Sequence, residues 1–308
     1  MDRHFRYRLL QSHEKGRQVM GWRTVIVDSR CKLSFKNDYI LLKKEEDVMV
    51  HISEIDVLVI ATTQVNMTCV ALSELIRHKV KVIFCDERHD PICEAVACNG
   101  CHNGPKRLAS QIAWDEHVKG EIFSAIIRGK IRNQATLLRR IGEIKAADML
   151  EEYAVNVKHD DITNREGHAA KVYFNALFGK GFKRDDVTPV NYALNYGYSV
   201  LLSVFNREVV ANGCVTQLGI HHRNEFNNFN LSCDLIEPFR VLIDEYVNEH
   251  TPGEILTKEY KYDLIGVLGR QVEYEKNVYL TNAVAAYVRS ALNALESGDV
   301  SAFKMYEF

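Results

Sequence analysis

Proline and long apolar runs are scarce in this chain. Its 308 residues include only 5 prolines and 17 glycines, which argues against a low-complexity or linker-dominated protein. The longest apolar runs, such as VLVIA at 57–61, are far shorter than the roughly 20 residues that a membrane helix needs. The first residues also lack the apolar core and small-residue cleavage site of a secretory signal. We therefore expect a cytoplasmic protein with no membrane contact.

The chain also lacks a strong charge of either sign. Its formal net charge is −2 and its isoelectric point is about 6.6, so the protein as a whole is not a basic coat for nucleic acid. A site for a polyanion must be a local patch. The hydrophobic content of 46% is enough for a sizeable core and predicts two domains.

Cysteine is present, with eight residues, and the absence of an export signal favours reduced thiols over disulfides. The segment CNGCH, Cys98 to His102, matches the spacing of a haem-attachment motif. It also has the spacing of a zinc site, in which His102 or Cys93 would join Cys98 and Cys101. Ordinary thiols in a loop are the third interpretation.

The first 19 residues differ from the rest because they are basic and show no clear periodicity. We interpret 1–19 as a leader or upstream extension, with Met20 as a plausible start of the compact part. A basic arm that contacts a phosphate backbone is the alternative.

Two compositional zones follow. Residues 20–100 read as a β-rich domain of short alternating or β-branched segments, interrupted by a helix from about Met67 to His78. Residues 101–308 read as helical, with apolar repeats over 107–132, 134–156, 162–178, 190–210, 232–249 and 279–296. The predicted fold class is α+β, with a small N-terminal mostly-β domain followed by a larger all-α domain.

Basic residues concentrate after the domain boundary, where they form either solvated helix faces or a site for a phosphate backbone. The candidate DNA-binding residues are Lys106, Arg107, Arg128, Lys130, Arg132, Arg139, Arg140, Lys183 and Arg184.

Glu166 lies on the same helical stripe as apolar residues of the segment 164–179, and Asn164 is a natural N-cap before it. One interpretation is an acid that the helix dipole favours in the first turn. The other is a carboxylate that binds a cation, because an unpaired charge beside a core is costly.

The segment GIHHRNEFNNFNLSCDLIEPFR, 219–240, carries a second group of candidates. Asp234, Glu237 and Arg240 are spaced i, i+3, i+6 on a helix whose predicted N-cap is Ser232. The two carboxylates can converge on one cation or form a simple surface pair with the arginine. His222 or its neighbour His221 precedes them, and an oxygen-rich site with one imidazole suits Mg²⁺ or Mn²⁺.

Carboxylates beside a basic region indicate phosphodiester chemistry, in which a metal polarises a phosphoryl oxygen. From these residues alone, a metal-dependent nuclease and a helical DNA-binding scaffold remain open, as do other helical enzymes.

The motifs EGHAAKVYF, NYALNYGYSVLLS, GIHH and DLIEPFR, in this order and spacing, resemble the CRISPR-associated integrase, the universal adaptation nuclease. Two further segments resemble sequences of the subgroup that accompanies a single large RNA-guided effector nuclease (type II, II-A-like). They are GWRTVIVDSRCKLSFKNDYILLK and VIFCDERHDPICE. The resemblance runs from Met20 to about the C-terminus. The CNGCH loop and the first 19 residues have no counterpart in that pattern.

By this resemblance, Glu166, His222 and Glu237 match the family's catalytic metal ligands, one site per subunit. Asp234 corresponds to an auxiliary carboxylate and Arg240 to a phosphate-contacting cation. Asn191 corresponds to an asparagine near the site.

The resemblance further implies that the 3′-hydroxyl of a short foreign DNA fragment attacks a phosphodiester of the CRISPR repeat, with Mg²⁺ or Mn²⁺ as cofactor. It implies a cytoplasmic prokaryotic homodimer on double-stranded DNA, built as two dimers bridged by a dimer of a small ferredoxin-like CRISPR-associated protein. A ring-shaped accessory protein and the effector nuclease are further expected partners. A structure-selective endonuclease that does not integrate, and a non-catalytic DNA-binding scaffold, are the alternatives.

Overall fold

A computed structural model describes residues 23–43, 47–97, 101 and 103–308. The predictions for residues 1–19, Cys98 and His102 lie outside these residues. The chain divides into two compact units near residue 99, and the segment Lys258–Arg270 belongs to the first unit.

The first unit contains two four-stranded sheets, as the alternating segments predict. One sheet has the order β1-β5-β7-β8, with β8 antiparallel to three parallel strands, and the other has the order β4-β3-β2-β6, with only β6 parallel to its neighbour. The strands are β1 Arg23–Val27, β2 Cys31–Lys36, β3 Tyr39–Lys43, β4 Val48–His51, β5 Ile55–Ile60, β6 Val65–Met67, β7 Lys81–Cys85 and β8 Pro91–Ala95. Leu33, Leu42 and Leu58 belong to one buried apolar cluster, so the sheets share a core.

This β-rich zone contains the α-helix α1, Cys69–Arg77, which confirms the helix predicted there. Thr68 caps it, because its hydroxyl accepts a hydrogen bond from the backbone N–H of Ala71 (3.2 Å). Ala71 and Leu75 are fully buried and lie four residues apart, so they share the face that enters the core.

The second unit is mainly helical, which confirms the predicted fold class. Its helices, with α9 of the first unit included for chain order, are α2 Gly104–Ile112, α3 Glu116–Arg140, α4 Ile144–Val155, α5 Arg165–Phe178, α6 Pro189–Ala211, α7 Asn230–Ile236, α8 Val241–Glu249, α9 Lys258–Gly266 and α10 Leu280–Ser297. Among the residues that the structure describes, no helix combines the length and apolar character required to cross a membrane.

The long helix α3 is divided differently from the prediction. The periodicity suggested helices over 107–132 and 134–156, whereas the chain breaks at Asp115 and then stays helical to Arg140. Asp115 is an N-cap whose carboxylate accepts from the N–H of Val118 (3.0 Å), and Gly142, with φ of 88°, follows the helix end.

Two features of the second unit differ from the prediction that residues 101–308 are all-α, with a helix N-cap at Ser232. Strands β9 Gln271–Tyr274 and β10 Lys276–Tyr279 form an antiparallel hairpin around Glu275, whose φ is +58°. The predicted N-cap Ser232 is also wrong, because α7 begins at Asn230 and Ser232 is completely buried inside it. The N–H of Leu231, near the helix start, bonds to the carbonyl of Thr216 (2.9 Å) instead of to a capping side chain.

Replacing the α1 cap tests the local account of the first unit. Thr68→Ala should lower the free energy of unfolding by about 1 kcal/mol, because the Ala71 N–H loses its partner. Ser73→Ala, at an exposed position inside the same helix, is the matched control and should be neutral or slightly stabilising. Urea unfolding monitored by circular dichroism measures both, and equal losses would contradict the capping role.

Candidate metal and DNA site

Glu166 lies in the first turn of α5, and the local sequence explains its position. Asn164 is the N-cap, as predicted, and its side chain accepts from the N–H of Gly167 (3.1 Å) in a left-handed backbone conformation with φ of 49°. The buried Asp161 accepts from the N–H groups of Arg165 (2.8 Å) and Glu166 (2.9 Å). The first four N–H groups of a helix have no partner inside the helix. Asp161 and Asn164 accept hydrogen bonds from three of them here, so these two side chains hold the helix turn that carries Glu166.

Asp234 is a loop anchor. It is completely buried in α7, and its carboxylate accepts from the backbone N–H groups of Ile220 (2.6 Å), His221 (3.1 Å) and His222 (3.1 Å). A carboxylate with several donors can remain ionised inside a protein. The acid on the apolar side of this helix therefore holds the GIHH loop against α7.

The two histidines of this loop have different surroundings. The Nδ1 of His222 lies 2.5 Å from Asp234 Oδ1, and this hydrogen bond raises the pKa of His222 above its usual value, with the charges of Glu237 and Glu166 adding to the effect. His221 instead stacks on Phe123 with ring centroids 4.0 Å apart, and its Nδ1 lies 2.8 Å from Asp160 Oδ1. Of the two, His222 therefore shares an electrostatic environment with the two glutamates.

Lys130 joins Glu166 to Glu237. Its Nζ lies 2.5 Å from Glu166 Oε1 and 2.6 Å from Glu237 Oε2, and only 12% of its side chain is exposed. Desolvation lowers the pKa of Lys130, but the charges of Glu166 and Glu237 outweigh it, so the pKa is raised above its usual range. Lys130 was predicted as a DNA-binding residue, and in this structure its charge is used inside the site.

Glu237 follows α7 directly and is almost completely buried. Burial raises its pKa, but the neighbouring Arg240 and Lys130 together lower it to about 2, so it is ionised at neutral pH. Arg240 Nε lies 3.0 Å from Glu237 Oε1. The other oxygen, Oε2, forms the 2.6 Å ion pair with Lys130.

This donor set fits a hard or borderline divalent cation. Two carboxylates and one imidazole come from three separate elements, and the two carboxylates already share one cation, Lys130. Mg²⁺ and Mn²⁺ prefer oxygen ligands, and Mn²⁺ tolerates a nitrogen ligand better. The ammonium of Lys130 places one positive charge between the two glutamates, and a divalent ion would place two there.

A buried network behind Arg240 was not predicted. The hydroxyls of Tyr173 (2.9 Å) and Tyr198 donate to Asp244, and burial raises the pKa of Asp244 to about 6. The guanidinium of Arg240 lies over the ring of Tyr198, 4.6 Å from its centroid. The available signal was an acid, Asp244, in the apolar run VLIDEYV, one helical turn after Arg240.

Asn191 is a structural residue of the α6 start. Its side chain donates to the carbonyls of Lys183 (2.7 Å) and Asp186 (2.9 Å) and accepts from Arg184. It therefore fixes the 183–186 turn. Through this turn it places Arg184, whose guanidinium lies 5.5 Å from the centroid of the same Tyr198 ring.

The predicted DNA-binding residues fall into two groups. Several have their charge or donors engaged within the protein: Arg107 with Glu296, Arg128 with the carbonyl of Val157, Arg139 with Asp148 and Glu151, and Arg140 with Glu245. Within the described ranges, Lys106, Arg132 and Lys183 are exposed and make no ion pair. Lys183 directly precedes Arg184 in the turn 183–186.

Of the CNGCH segment, Cys101 alone lies among the described residues, as a half-buried free thiol, and Cys93 is an exposed free thiol. The zinc and haem interpretations of this segment remain predictions.

The profile of the family described as CRISPR associated protein Cas1 matches residues 24–268. The chain belongs to this family. It is 34% identical over 280 residues to a CRISPR-associated endonuclease Cas1 of Neisseria meningitidis serogroup C (strain 8013), which covers 89% of this chain and 92% of that protein. A second relative, CRISPR-associated endonuclease Cas1 1 of Pyrobaculum aerophilum, is 26% identical over 265 residues and covers 78% of this chain and 88% of its own length.

Solved structures show the same fold. A Cas1 protein from Thermotoga maritima matches with a TM-score of 0.70 at 16% identity, over 92% of this chain and 100% of that chain. A casposase bound to integration product matches with a TM-score of 0.71 at 18% identity, over 92% and 94%. A Cas6-RT-Cas1–Cas2 complex matches with a TM-score of 0.72 at 20% identity over 97% of this chain, which spans only 37% of that longer chain.

The anchoring role of Asp234 predicts that replacing one oxygen of its carboxylate strongly lowers the stability of the fold. Asp234→Asn presents an NH₂ group to backbone donors, so the free energy of unfolding should fall by about 2 kcal/mol or more. The control is Asp160→Asn, at an exposed pair with His221, which should change it by less than about 1 kcal/mol. Chemical denaturation of both variants measures the difference, and a smaller loss for Asp234→Asn than for its control would contradict the assignment.

Proposed function

We propose that this Cas1 protein is a metal-dependent DNA integrase and endonuclease that inserts short foreign DNA fragments into a CRISPR repeat. The observation that supports it best is that Glu166 and Glu237, from separate elements, meet at the ammonium of Lys130, while the charges of both glutamates act on His222. The names of the relatives, endonuclease for two Cas1 proteins and integration product for the casposase structure, agree with this proposal.

Glu166, His222 and Glu237 would hold Mg²⁺ or Mn²⁺. The ion would polarise the scissile phosphate and orient the attacking hydroxyl. Because Glu237 is ionised at neutral pH, it can act as a ligand without first losing a proton once Lys130 moves away from it. Asp234 keeps the histidine in place through its backbone and ring contacts.

The reaction is a transesterification. The 3′-oxygen of the incoming fragment forms a bond to the phosphorus of the repeat, the bond to the 3′-oxygen of the repeat strand breaks, and the proton of the attacking hydroxyl passes to that leaving oxygen. One phosphodiester replaces another, so no nucleotide triphosphate is required. Positioning and charge stabilisation supply most of the rate increase.

Arg240 and Arg184 would contact DNA near the reacting phosphate. Both guanidinium groups lie over the buried ring of Tyr198, and Arg240 also pairs with Glu237, so a phosphate that approaches the two guanidinium groups would meet positive charge. Planar guanidinium groups bind phosphate oxygens in pairs, which gives direction as well as attraction.

Water in place of the 3′-hydroxyl would give endonuclease cleavage at the same site, and the endonuclease names of the relatives favour this second activity. Partners belong to the proposal as well: a homodimer, double-stranded DNA, and a Cas2-like protein that bridges two dimers. The complex of a Cas1-containing chain with Cas2 supports the last of these.

Removing one proposed ligand tests the metal site. Glu166→Gln should lower strand transfer of a 3′-hydroxyl-ended duplex into a repeat-bearing plasmid by about a hundredfold or more, the loss typical of one preorganised electrostatic group. EDTA should abolish the wild-type reaction, and Mn²⁺ or Mg²⁺ should restore it. Gel analysis separates strand-transfer products from simple cleavage.

Glu151→Gln is the control, because Glu151 is a glutamate of the same unit whose ion pair is with the surface residue Arg139. It should keep wild-type strand transfer and melting temperature. Undiminished strand transfer by folded Glu166→Gln, or wild-type activity in EDTA, would refute the proposed site.

The DNA path is tested by charge removal next to Arg184. Lys183→Ala should weaken DNA binding and reduce the slope of log K against log salt by about 0.9, the value for one phosphate contact. Arg139→Ala should leave the slope unchanged, because Asp148 and Glu151 already neutralise that residue. Fluorescence anisotropy over a salt series measures both slopes, and equal slopes for Lys183→Ala and wild type would remove Lys183 from the path.

A further inference from the structure

A second cluster of metal-binding side chains lies at the start of α3. His117 and Glu121 are four residues apart on one face of this helix, and His159 approaches them from the segment 158–161. One ligand atom from each of the three lies within 4.8 Å of the others. None of them belongs to the site formed by Glu166, His222 and Glu237.

The helix is shaped to receive the imidazole of His159. Gly120 lies between the two α3 ligands, and a Cβ atom there would lie 2.2 Å from His159 Cε1 and 2.4 Å from His159 Nε2. Glycine inside a helix costs about 1 kcal/mol relative to alanine, so its presence requires a local reason. Here the missing side chain lets an imidazole pack directly on the helix backbone.

The side chains already face one another. The rings of His117 and His159 are stacked, with centroids 4.8 Å apart and planes 11° apart, and His159 Nε2 lies 4.0 Å from Glu121 Oε1. His159 Nε2 also lies 3.0 Å from the carbonyl of His117, and an ion bound through this nitrogen would replace that hydrogen bond. The three ligand atoms therefore lie near one another on side chains that are at least partly exposed.

We propose that His117, Glu121 and His159 form a second metal site, for a borderline transition-metal ion such as Zn²⁺. Two imidazoles and one carboxylate suit Zn²⁺, Co²⁺ or Ni²⁺, whereas Mg²⁺ and Ca²⁺ prefer all-oxygen sites. The exposed position leaves room for water at the remaining coordination positions.

The segment that this ion would fasten supports both parts of the first site. Asp161 accepts from the N–H of Glu166 (2.9 Å), and Asp160 Oδ1 lies 2.8 Å from the ring of His221, next to His222. The same segment holds two consecutive left-handed non-glycine residues, Asp160 (φ 54°) and Asp161 (φ 45°), a conformation that surrounding contacts must stabilise. A metal bond at His159 adds one such contact, so it would reduce local opening of the α5 start.

The experiment uses Zn²⁺ with the full-length protein in excess Mg²⁺, so that the oxygen-rich first site is occupied by Mg²⁺. Isothermal titration should show one Zn²⁺ per chain. His117→Gln, Glu121→Gln and His159→Gln should each weaken this binding by about tenfold or more, since even loss of a group that only supports a ligand costs that much. His250→Gln, an exposed histidine of α8's end, should bind Zn²⁺ as the wild type does.

Two further readouts make each outcome decisive. Co²⁺ bound to the wild type should give a visible absorption spectrum that His117→Gln alters, and this exposed substitution leaves the contact between Gly120 and His159 intact. Zn²⁺ should slow hydrogen exchange of the amides of Arg165 and Glu166 in wild type and in His250→Gln, but not in His117→Gln.

Absence of Zn²⁺ binding to the wild type, or binding unchanged in both His117→Gln and Glu121→Gln, would overturn the second site. Binding without slower exchange would overturn its positioning role. The importance of that role for strand transfer rests on the proposed function, but the binding measurements do not. A failed integration assay would therefore not contradict the second metal site. Likewise, a failed Zn²⁺ titration would not contradict the proposed integrase function.

Discussion

Two carboxylates that face one point repel each other unless a cation lies between them. Glu166 and Glu237 come from different helical segments, and both contact the single ammonium of Lys130. Two negative charges at such close range repel by on the order of a few kcal/mol at an effective dielectric constant of about 20. The lysine removes this repulsion, and a divalent ion would remove more of it, so the same arrangement stabilises the fold and prepares the metal site.

The other buried acids show how the protein distinguishes a ligand from a support. Asp161 and Asp234 each accept backbone N–H groups, and these donors use the oxygens that a metal would need. Glu237 accepts from Arg240 with one oxygen and pairs with Lys130 through the other, and Glu166 also pairs with Lys130. The supporting acids therefore fix the loops and helix starts, while the two proposed ligand acids are held by side-chain cations that a metal ion could replace.

Local patterns in the sequence predicted much of this architecture. The apolar repeats located most helices, and Asn164 was identified as the cap that places Glu166, because capping depends on residues a few positions apart. The interpretation of Asp234 as an auxiliary carboxylate near the site agrees with its role as an anchor. The motif resemblance identified the family from scattered residues that no periodicity links.

The remainder depended on contacts between distant parts of the chain. Lys130 reads as one more base in a basic helix, and only the packing of α3 against Glu166, 36 residues later, shows that it is an internal counter-ion. Ser232 has the composition of a cap, but the carbonyl of Thr216 satisfies the helix start instead. The segment Lys258–Arg270 joins the first unit across more than 150 residues of sequence, which short-range patterns do not report.

A crystal of the protein soaked in Mn²⁺, with anomalous diffraction recorded at the manganese edge, tests the central claim most directly. The account predicts an anomalous peak bounded by the carboxylates of Glu166 and Glu237 and a ring nitrogen of His222, with the ammonium of Lys130 moved away from the two glutamates. The account would be contradicted if no peak formed there and Lys130 still joined Glu166 to Glu237 at saturating Mn²⁺.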